Sequence, residues 1–467
     1  MKRPNILFYF TDQQRWDTCG CYGQKLNVSP RLDELCERGV RFENAFTCQP
    51  VCGPARAALQ SGLYPTQTGC FVNGVALPQD IPTLADVFND AGYLTAYVGK
   101  WHLASNDGVD DYQVAPIPED RRGGWKDWWV AADVLEFTSD GYGGHMFRAD
   151  GSKYEFNRYR TDGVTDAAVE FLRSDRDRDK PFFLFLSHIE PHHQNNHKRY
   201  EGPIGSKEKF ADYEVPGDLV GTEGNWRENY PDYLGCCNAC DANFGRLLDE
   251  LEKTGELENT IVVYTADHGS HFCTRNMEYK RSCHDGCTHI PMVIAGPGFE
   301  GGKVCDSVVS LLDLPKTLIE CAGLTPFDGM QGRNLKVAAD GGEWDDVAFM
   351  QISESHVGRA IRTKKWTYEV GAVGKDGWKV EGAEEYMEVF LYDNESDPHQ
   401  KNNLAGDPAY ADVRAQLKEK LLACMEQAGE KHTEATLKCF SREIHTHRDS
   451  ICGSGGLQCD TNSAKRE

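Results

Sequence analysis

Reactive side chains follow four apolar runs of the sequence, at the point where each run ends. The runs cover residues 5–10, 94–99, 181–187 and 259–265, and the side chains after them are Asp12 and Gln13; Lys100 and His102; His188, Glu190 and His192; and Asp267 and His268. A single aspartate there is most often a helix cap, and a single histidine a hydrogen-bonded loop residue. Four clusters in succession predict one site, because ligands of open α/β sheets bind beyond the carboxyl ends of parallel strands.

The residue types in these clusters suit a cation and an anionic substrate. The first and last clusters offer mainly oxygen ligands, which favour a hard divalent cation such as calcium or magnesium over zinc. These candidate ligands are Asp12, Gln13, Asp267 and His268. The positive groups that would surround the cation are Lys100, His102, His192 and Lys280. Such a setting suits a substrate that carries two or more anionic oxygens.

Cys52 lies in the stretch CQPVCGPARAALQSGLYP (48–65), and its thiol could be buried, disulfide-bonded, metal-bound or nucleophilic. A helix that starts at Gly53 or Pro54 would direct the positive end of its dipole at Cys52, because proline is preset for a first helical turn. A thiol protease that pairs this cysteine with a nearby histidine would explain neither the acidic pairs nor the lysines.

Apolar strands and amphipathic helices alternate along the first part of the chain. The predicted strands are 5–10, 94–99, 181–187, 259–267 and 290–296, and the predicted helices are 30–39, 81–92, 165–174 (with Thr165 at the cap) and 232–255. Strands that are apolar throughout and alternate with helices are typical of a mostly parallel sheet covered on both faces. We expect an α/β fold in which residues 104–160 and 193–230 form long surface excursions.

The pattern changes at about residue 345. The segments VAFMQIS, GRAIRTKKWTYEVG and YMEVFLYD alternate like antiparallel strands with exposed polar faces, and a helix is predicted over 410–428. We therefore predict a catalytic domain over residues 1–344 and a smaller α+β subdomain with an antiparallel sheet over 345–467. The last 40 or so residues are polar and receive no assignment.

The composition excludes some classes of partner. The 467 residues carry 50 Lys and Arg against 73 Asp and Glu, a net charge of −23. Such a chain repels nucleic acids and anionic lipid, and no apolar run approaches the roughly 20 residues of a membrane span. Asp12 interrupts the N-terminal apolar run, so we expect no export signal of the usual kind. We expect a cytoplasmic protein whose 18 cysteines are reduced thiols.

The residues around Cys52 resemble the signature of the type I, formylglycine-dependent sulfatases of the alkaline phosphatase superfamily. In that signature a cysteine, any residue, a proline, a small residue and an arginine precede a helix, as in Cys52-Gly53-Pro54-Ala55-Arg56 here. The other clusters follow in the family's order, with Lys280 before the next strand. Residues 391–405 (LYDNESDPHQKNNLA) resemble the family's closing motif, so the resemblance spans residues 4 to about 405.

The resemblance implies an alkaline-phosphatase-like fold and a sulfuric ester hydrolase. A dedicated maturation enzyme would oxidise Cys52 to formylglycine (3-oxoalanine), and the reaction would pass through a covalent sulfo-enzyme intermediate. The implied metal ligands, around calcium, are Asp12, Gln13, Cys52, Asp267 and His268. The other implied catalytic residues are Arg56, which holds the hydrated aldehyde; His102 as base; Lys100 and Lys280, which bind sulfate; and His192, which with Lys280 protonates the leaving group.

The sequence departs from the family pattern at two metal-ligand positions. Gln13 stands where many sulfatases have aspartate, and His268 where many have asparagine, which leaves manganese or magnesium possible. These pairs also resemble those of phosphonate monoester and phosphodiester hydrolases, which are the alternative function. A third possibility is a binder of sulfated ligands whose Cys52 is never converted.

The sequence does not name the alcohol that carries the sulfate. A saccharide, a steroid and a simple phenol all remain open. His284 and Asp285 are candidates for contacting the non-sulfate part of the substrate, and the alternative is that they are loop residues with structural hydrogen bonds. Four tryptophans in the two predicted excursions could stack on a substrate ring or pack on the surface: Trp125, Trp128, Trp129 and Trp226. The oligomeric state has no signature in the sequence.

Overall fold

Two β-sheets organise the computed structural model, which describes residues 3–372, 374–430 and 437–438. The strands of the large sheet are β1 (Asn5–Thr11), β2 (Val40–Phe46), β3 (Leu94–Lys100), β4 (Trp128–Ala132), β5 (Tyr142–Arg148), β6 (Lys153–Tyr159), β7 (Phe182–Ser187), β8 (Thr260–Ala266), β9 (Met292–Ala295) and β10 (Lys303–Ser310). Those of the second sheet are β11 (Val347–Ile352), β12 (Val357–Thr363), β13 (Trp366–Ala372), β14 (Tyr386–Asp393) and β15 (Leu437–Lys438).

Eleven α-helices accompany these strands in the described part of the chain. They are α1 (Pro30–Cys36), α2 (Cys52–Ser61), α3 (Pro65–Thr68), α4 (Leu84–Asp90), α5 (Arg160–Arg173), α6 (Ser206–Lys209), α7 (Trp226–Lys253), α8 (Asp285–Thr288), α9 (Asp313–Cys321), α10 (Leu335–Ala339) and α11 (Ala411–Gln427).

The middle of the large sheet is parallel, and its edges are mixed. The strand order is β10-β2-β9-β8-β1-β7-β3-β4-β5-β6. Strands β8, β1, β7, β3 and β4 pair in parallel, whereas β9, β5 and β6 pair antiparallel with their neighbours. The predicted mostly parallel α/β fold is confirmed.

Both faces of this sheet are buried, which explains why its central strands are apolar throughout. Alternate residues of β1 enter different cores: Ile6 and Phe8 lie with α2, α4 and α9 on one face, and Leu7 and Tyr9 lie with α1, α5 and α7 on the other. A strand covered on both sides has no solvated face and therefore shows no polar alternation.

The prediction that residues 104–160 form a surface excursion is wrong. This segment supplies β4, β5 and β6, which complete one edge of the large sheet. Along β6, buried and exposed residues largely alternate, as in a strand covered on one face, so the segment lacks the continuous apolar run of the central strands. The segment 193–230 does run mainly as loop, with only α6 before α7 begins at Trp226.

Helix α5 begins earlier than predicted. It starts at Arg160, so Thr165 lies buried inside the helix and is not its cap. Besides β4, β5 and β6, the strands β2 and β10 had no prediction. Strand β2 mixes Arg41, Glu43 and Asn44 with apolar residues, and β10 begins with exposed residues, which hides both from a search for apolar runs.

The second sheet confirms the predicted α+β character of the C-terminal region. Strands β11 to β14 pair antiparallel, and α11 packs against them around a core that includes Phe349, Tyr368 and Leu421. All strands of this sheet follow residue 344, although the exact domain boundary stays a prediction. Most of the last 40 residues, which received no assignment, lie outside the described residues. No helix in the described ranges is long and apolar enough to cross a membrane.

Candidate active site

Four neighbouring strands of the large sheet end level with one another and bring the four clusters together. Because Thr11 pairs with Ala266 and Phe10 with Ser187, the residues that follow β1, β7 and β8 emerge side by side. Gly99 of β3 also pairs with Ser187. The convergence that the sequence predicted follows directly from this register.

Helix α2 presents Cys52 to these strand ends. The helix begins at Cys52 itself, one or two residues earlier than expected, and all ten of its residues are buried. The N–H of Gly53, which has no partner within the first turn, donates to Oδ1 of Asn73 at 2.9 Å. Cys52 is therefore the first residue of a buried helix, with the positive end of the dipole beside its thiol.

The sulfur of Cys52 is surrounded by charged and polar side chains. Lys280 Nζ donates to it at 2.7 Å, His268 Nε2 lies 3.2 Å away, and Asp12 Oδ1 accepts from the thiol at 3.4 Å. Burial alone would raise the pKa of Cys52, but the charges of Lys100 and Lys280 outweigh burial and hold that pKa well below its usual value. The cluster favours negative charge at this position.

Arg56 and Lys100 converge on the carboxylate of Asp12. Arg56 Nη2 and Lys100 Nζ donate to the same oxygen, Asp12 Oδ2, at 3.0 and 2.7 Å. The other terminal nitrogen of Arg56 donates to Ser187 Oγ at 2.6 Å and to the carbonyl of Lys100 at 3.0 Å. Burial opposes ionisation of Asp12, but the adjacent positive charges, Lys100 foremost, lower its pKa overall.

The site contains donors that fit a metal ion. Ligand atoms of Asp12, Cys52, Asp267 and His268 all lie within 4.8 Å of one another, and all four residues are buried. The amide nitrogen of Gln13 donates to Tyr200 OH at 2.5 Å, which leaves its Oε1 buried without a hydrogen-bond partner. Asp267 Oδ2 likewise has no hydrogen-bond partner. The nearest positive group to Asp267 Oδ2 is Arg56 Nη2, at an ion-pair distance of 3.6 Å. Two buried acceptors without hydrogen bonds are costly, and a bound cation would satisfy both.

The proximity of the two aspartates has an electrostatic consequence. Burial and the neighbouring charge of Asp12 raise the pKa of Asp267 to about 7. Like charges held close in a dry site disfavour ionisation of one partner, and a divalent cation between them removes that cost.

His192 lies between Lys280 and Glu136. The distance between Lys280 Nζ and His192 Nε2 is 3.5 Å, and Glu136 Oε2 lies 3.7 Å from the other ring nitrogen, Nδ1. Glu136 is also held by the backbone N–H of Asn195 at 3.0 Å. His102 reaches the thiol of Cys52 from the end of β3, with its backbone at a φ of 61°.

Two protein-family models match the chain. The family model described as Sulfatase matches residues 4–324, and the one described as N-sulphoglucosamine sulphohydrolase, C-terminal, matches residues 275–427. The chain belongs to the sulfatase family. This family is part of the alkaline phosphatase superfamily, and membership makes the protein a sulfuric ester hydrolase.

Named relatives match this sulfatase over nearly their whole length. It is 30% identical to the uncharacterized sulfatase YidJ of Escherichia coli (strain K12), covering 91% of this chain and 88% of the relative. It is 25% identical to the N-acetylglucosamine-6-O-sulfatase of Bacteroides thetaiotaomicron, covering 91% and 87%.

Solved structures share the fold. A yidJ sulfatase structure from Bacteroides fragilis has a TM-score of 0.80 at 26% identity and covers 92% of this chain and 97% of its own. The phosphonate monoester hydrolase of Agrobacterium radiobacter has a TM-score of 0.71 at 23% identity, covering 91% and 96%, and shows the fold alone.

His284 and Asp285 of this sulfatase contact the C-terminal sheet. His284 Nε2 lies 3.1 Å from the hydroxyl of Tyr392, and Asp285 accepts two hydrogen bonds from Arg362, both at 3.1 Å. Gln400 also donates to Asp285 at 2.9 Å. These contacts match the structural alternative that the sequence left open, and a role in substrate binding stays a prediction.

The tryptophans are poorly placed to stack on a substrate. Trp125 and Trp129 belong to the core beneath the large sheet, and Trp226 is 6% exposed at the start of α7. Trp128 is half-buried and packs against Phe171. We did not predict this burial, because we expected residues 104–160 and 193–230 to form surface excursions.

Residues around the site that had no sequence prediction include Asn73, Glu136 and Glu354, the last of which pairs with Arg281 next to Lys280. Asn73 and Glu136 lie in loops whose position only the fold determines. Glu354 carries a usable signal, because SESH (353–356) follows β11 just as the other clusters follow β1, β3, β7 and β8.

Proposed function

We propose that this sulfatase cleaves its sulfate ester with formylglycine, formed from Cys52, beside a divalent cation held between the ends of β1 and β8. The placement of Cys52 carries the proposal. Its sulfur lies within hydrogen-bonding distance of Asp12, His268 and Lys280, in a buried cluster that favours negative charge. A merely structural thiol needs none of these neighbours, and Cys48, four residues earlier, has a raised pKa because it is simply buried.

The modified residue supplies the nucleophile. In its hydrated form, formylglycine would offer one hydroxyl as the nucleophile at sulfur. Loss of the proton from the second hydroxyl would then let the C–O bond to the sulfate break and the aldehyde re-form. In the unmodified chain, the sulfur of Cys52 stands where those hydroxyl oxygens would lie. Lys280 and His268 are within reach of that position.

Asp12, Gln13, Asp267 and His268 would hold the cation, with calcium the first candidate and manganese or magnesium the alternatives. Bound there, it would neutralise charge on the sulfuryl oxygens. The buried oxygens of Gln13 and Asp267 that lack a hydrogen bond support this ligand set. Lys100 and Arg56 fix the carboxylate of Asp12 through the same oxygen, which orients it for this role.

The remaining residues bind the sulfate group and move protons. Lys100 and Lys280, both buried, would bind sulfuryl oxygens, and Arg56 would hold the hydroxyls of the modified residue. His192, in contact with Lys280, would donate a proton to the oxygen of the departing alcohol. His102 would accept a proton at the position of Cys52 when sulfate leaves.

A sulfated saccharide is the substrate class that the relatives favour. One relative is named for N-acetylglucosamine 6-O-sulfate hydrolysis. A maturation enzyme that converts Cys52 is an obligatory partner in this mechanism.

Mass analysis of the peptide that carries Cys52, from protein made in its native host, tests the mechanism. We expect the mass of the aldehyde, together with turnover of nitrophenyl sulfate. Protein that holds only the unmodified thiol and still hydrolyses sulfate esters would contradict the formylglycine mechanism. Unmodified protein that binds sulfated sugars without turnover would instead be a binder.

A second candidate is hydrolysis of phosphonate monoesters or phosphodiesters at the same site. The pairs Asp12–Gln13 and Asp267–His268 resemble those of such enzymes, and the fold is shared with one of them. Comparing kcat/KM for nitrophenyl sulfate and for an aryl phosphodiester would separate the two functions. We expect the sulfate ester to be the better substrate.

A further inference from the structure

Arg281 follows Lys280 directly and is held by two carboxylates. Its Nε donates to Glu354, and one terminal nitrogen pairs with Glu278. The second terminal nitrogen has no hydrogen-bond partner among the described residues. Arg281 is buried to about the same degree as His192, each 7% exposed, in a site where Lys280 is 1% exposed. Arg281 is the residue next to Lys280, whose amine donates to the sulfur of Cys52 at 2.7 Å.

Glu354 connects this arginine to the helix that carries Cys52. The backbone N–H of Asn73 donates to Glu354 Oε1 at 2.7 Å, and the side chain of Asn73 accepts from the N–H of Gly53 at 2.9 Å. Lys280 closes the ring of contacts by donating to the sulfur of Cys52 at 2.7 Å. Arg281 is therefore fixed relative to the reacting position from both sides.

The C-terminal subdomain supplies this connection through four consecutive residues, Ser353 to His356. Ser353 Oγ accepts from Gln49 at 2.6 Å, and Ser355 Oγ donates to the carbonyl of Arg281 at 2.7 Å. His356 lies 2.5 Å from Glu369 of β13, which anchors the segment to its own sheet. The segment docks on the catalytic domain three residues before Cys52 and directly at Arg281.

Both partners of the ion pair have left-handed backbones. The φ angles of Arg281 and Glu354 are 73° and 64°, a region that non-glycine residues occupy at a cost. Strain of this kind persists where the surrounding contacts enforce it, and it is concentrated at ligand clamps and active sites. Trp378, 38% exposed, lies over the guanidinium of Arg281 with its ring centroid 5.5 Å away.

We propose that Arg281 is a specificity-determining residue that donates hydrogen bonds to hydroxyl oxygens of a neutral sugar bearing the sulfate, and that Glu354 positions it. This inference rests on the proposed sulfatase function. The two carboxylates of Glu278 and Glu354 outweigh the single charge of the guanidinium, so the cluster offers donors without net positive charge. Such a cluster suits neutral hydroxyls better than a second anionic group, and a half-exposed indole beside it suits a sugar ring.

Kinetics on two kinds of substrate test the proposal. The first is a panel of hexose and N-acetylhexosamine monosulfates, and the second is nitrophenyl sulfate, which has no hydroxyl beside the sulfate. We expect Arg281→Ala to lower kcat/KM for the preferred sugar sulfate about 10- to 100-fold, the loss typical of a hydrogen bond to a charged group. Turnover of nitrophenyl sulfate should change less than about threefold.

Two conservative variants separate positioning from folding. Arg281→Lys keeps the positive charge but loses the paired N–H donors of the guanidinium. It should therefore show more activity on the sugar sulfate than Arg281→Ala but less than wild type. Glu354→Gln keeps an oxygen for Asn73 but loosens Arg281, so it should raise KM for the sugar sulfate and spare kcat for nitrophenyl sulfate. Arg275→Ala is the matched control, since Arg275 bonds carbonyls of His399 and Gln400 at 2.7 Å outside this ring of contacts and should leave both activities unchanged.

The outcomes distinguish this inference from the proposed function. Equal losses on both substrates, or no loss on any sugar sulfate, would overturn the role of Arg281. A wild-type protein that hydrolyses no sulfate ester would overturn the proposed function. In that case calorimetry can still test the role of Arg281, by measuring how tightly the sugar panel binds to the Cys52→Ala protein with and without Arg281→Ala. Binding that is weak in both proteins, or equally tight in both, refutes the inference.

Discussion

At the residue scale, the thiol of Cys52 is buried among side chains that an idle cysteine would not need. Cys52→Ala should lower turnover of sulfate esters by at least about 1,000-fold, because it removes the precursor of the nucleophile. Cys48→Ala is the matched control, since that thiol is buried in the same stretch without lysine partners and should keep its activity. Steady-state kinetics and thermal unfolding of both variants check this. Near-wild-type turnover by Cys52→Ala would remove this residue from the mechanism.

Asp267 is the residue on which the proposed cation site depends most. One of its oxygens is bonded by the N–H of Gln13 at 2.9 Å, and the other is buried without a hydrogen-bond partner. Asp267→Ala should abolish stoichiometric calcium binding, measured by calorimetry on protein freed of metal, and activity with it. Asp306→Ala on the surface of β10 is the control and should bind calcium as before. Stoichiometric calcium binding by Asp267→Ala would contradict the ligand set.

Only some residues of the candidate site could be predicted from the sequence. Asp12, Lys100 and Asp267 were predictable, because a polar residue at the end of an apolar run has few positions open to it in a parallel sheet. Glu136 and Asn73 were not, since they reach the site from loops whose course depends on the packing of the whole domain. For His284 and Asp285 the sequence left substrate contact and structural hydrogen bonds both open; their side chains bond the second sheet, and substrate contact stays a prediction.

At the element scale, α1 is capped by another helix. Its N-cap residue Ser29 makes no side-chain cap, and Asp241 of α7 instead accepts the N–H groups of Arg31 and Leu32 at 3.0 and 2.8 Å. Asp241→Ala should lower the free energy of unfolding by about 1–3 kcal/mol, the cost of leaving buried donors unpaired. Denaturant unfolding measures this change, and Asp249→Ala, on the same helix, is a more exposed control. An unchanged midpoint would show that α1 does not depend on this cap.

The same carboxylate gives stability a pH dependence. Burial is the main cause that raises the pKa of Asp241 to about 7. The folded protein therefore keeps this proton up to about pH 7, whereas the unfolded chain releases it near pH 4. The stabilising contribution of Asp241 is full below about pH 4 and is lost as the pH rises through about 7. The unfolding temperature of wild type relative to Asp241→Asn should thus fall between about pH 4 and pH 7. A constant difference would contradict the raised pKa.

The helices and strands differ in how well the sequence pattern predicts them. The central strands were found because burial on both faces makes them apolar throughout, whereas β5 and β6 at the edge present polar residues to solvent. Helix α5 was found but started too late, because its first turn carries Arg160 and Asp162, which look like loop residues. Arg160 is buried there by an ion pair with Glu190 at 2.7 Å, a partner that only the fold supplies.

At the scale of the whole molecule, the two sheets meet through buried polar contacts close to the site. Glu354 and Ser355 bond residues beside Lys280, and Arg362 of β12 pairs with Asp285 at the start of α8. The alternation of apolar and polar residues predicted the second sheet from the sequence. The polar run SESH (353–356) after β11 could have indicated that this loop lies near the site, but its contacts with Asn73 and Arg281 depend on how the two sheets pack. The C-terminal subdomain is therefore part of the site, beyond its contribution to stability.

The Asp285–Arg362 pair tests how this interface works and which role Asp285 has. Both side chains are about nine-tenths buried, and breaking such a pair from one side should cost about 3–5 kcal/mol. Arg362→Met and Asp285→Asn should each destabilise the protein, and the double variant should lose less than the sum, with a coupling of about 0.5–3 kcal/mol. At temperatures where they are folded, both single variants should have the kcat/KM of the wild-type protein for sugar sulfates. If Asp285 contacts substrate, Asp285→Asn alone will raise KM while Arg362→Met does not, and the purely structural role will be refuted.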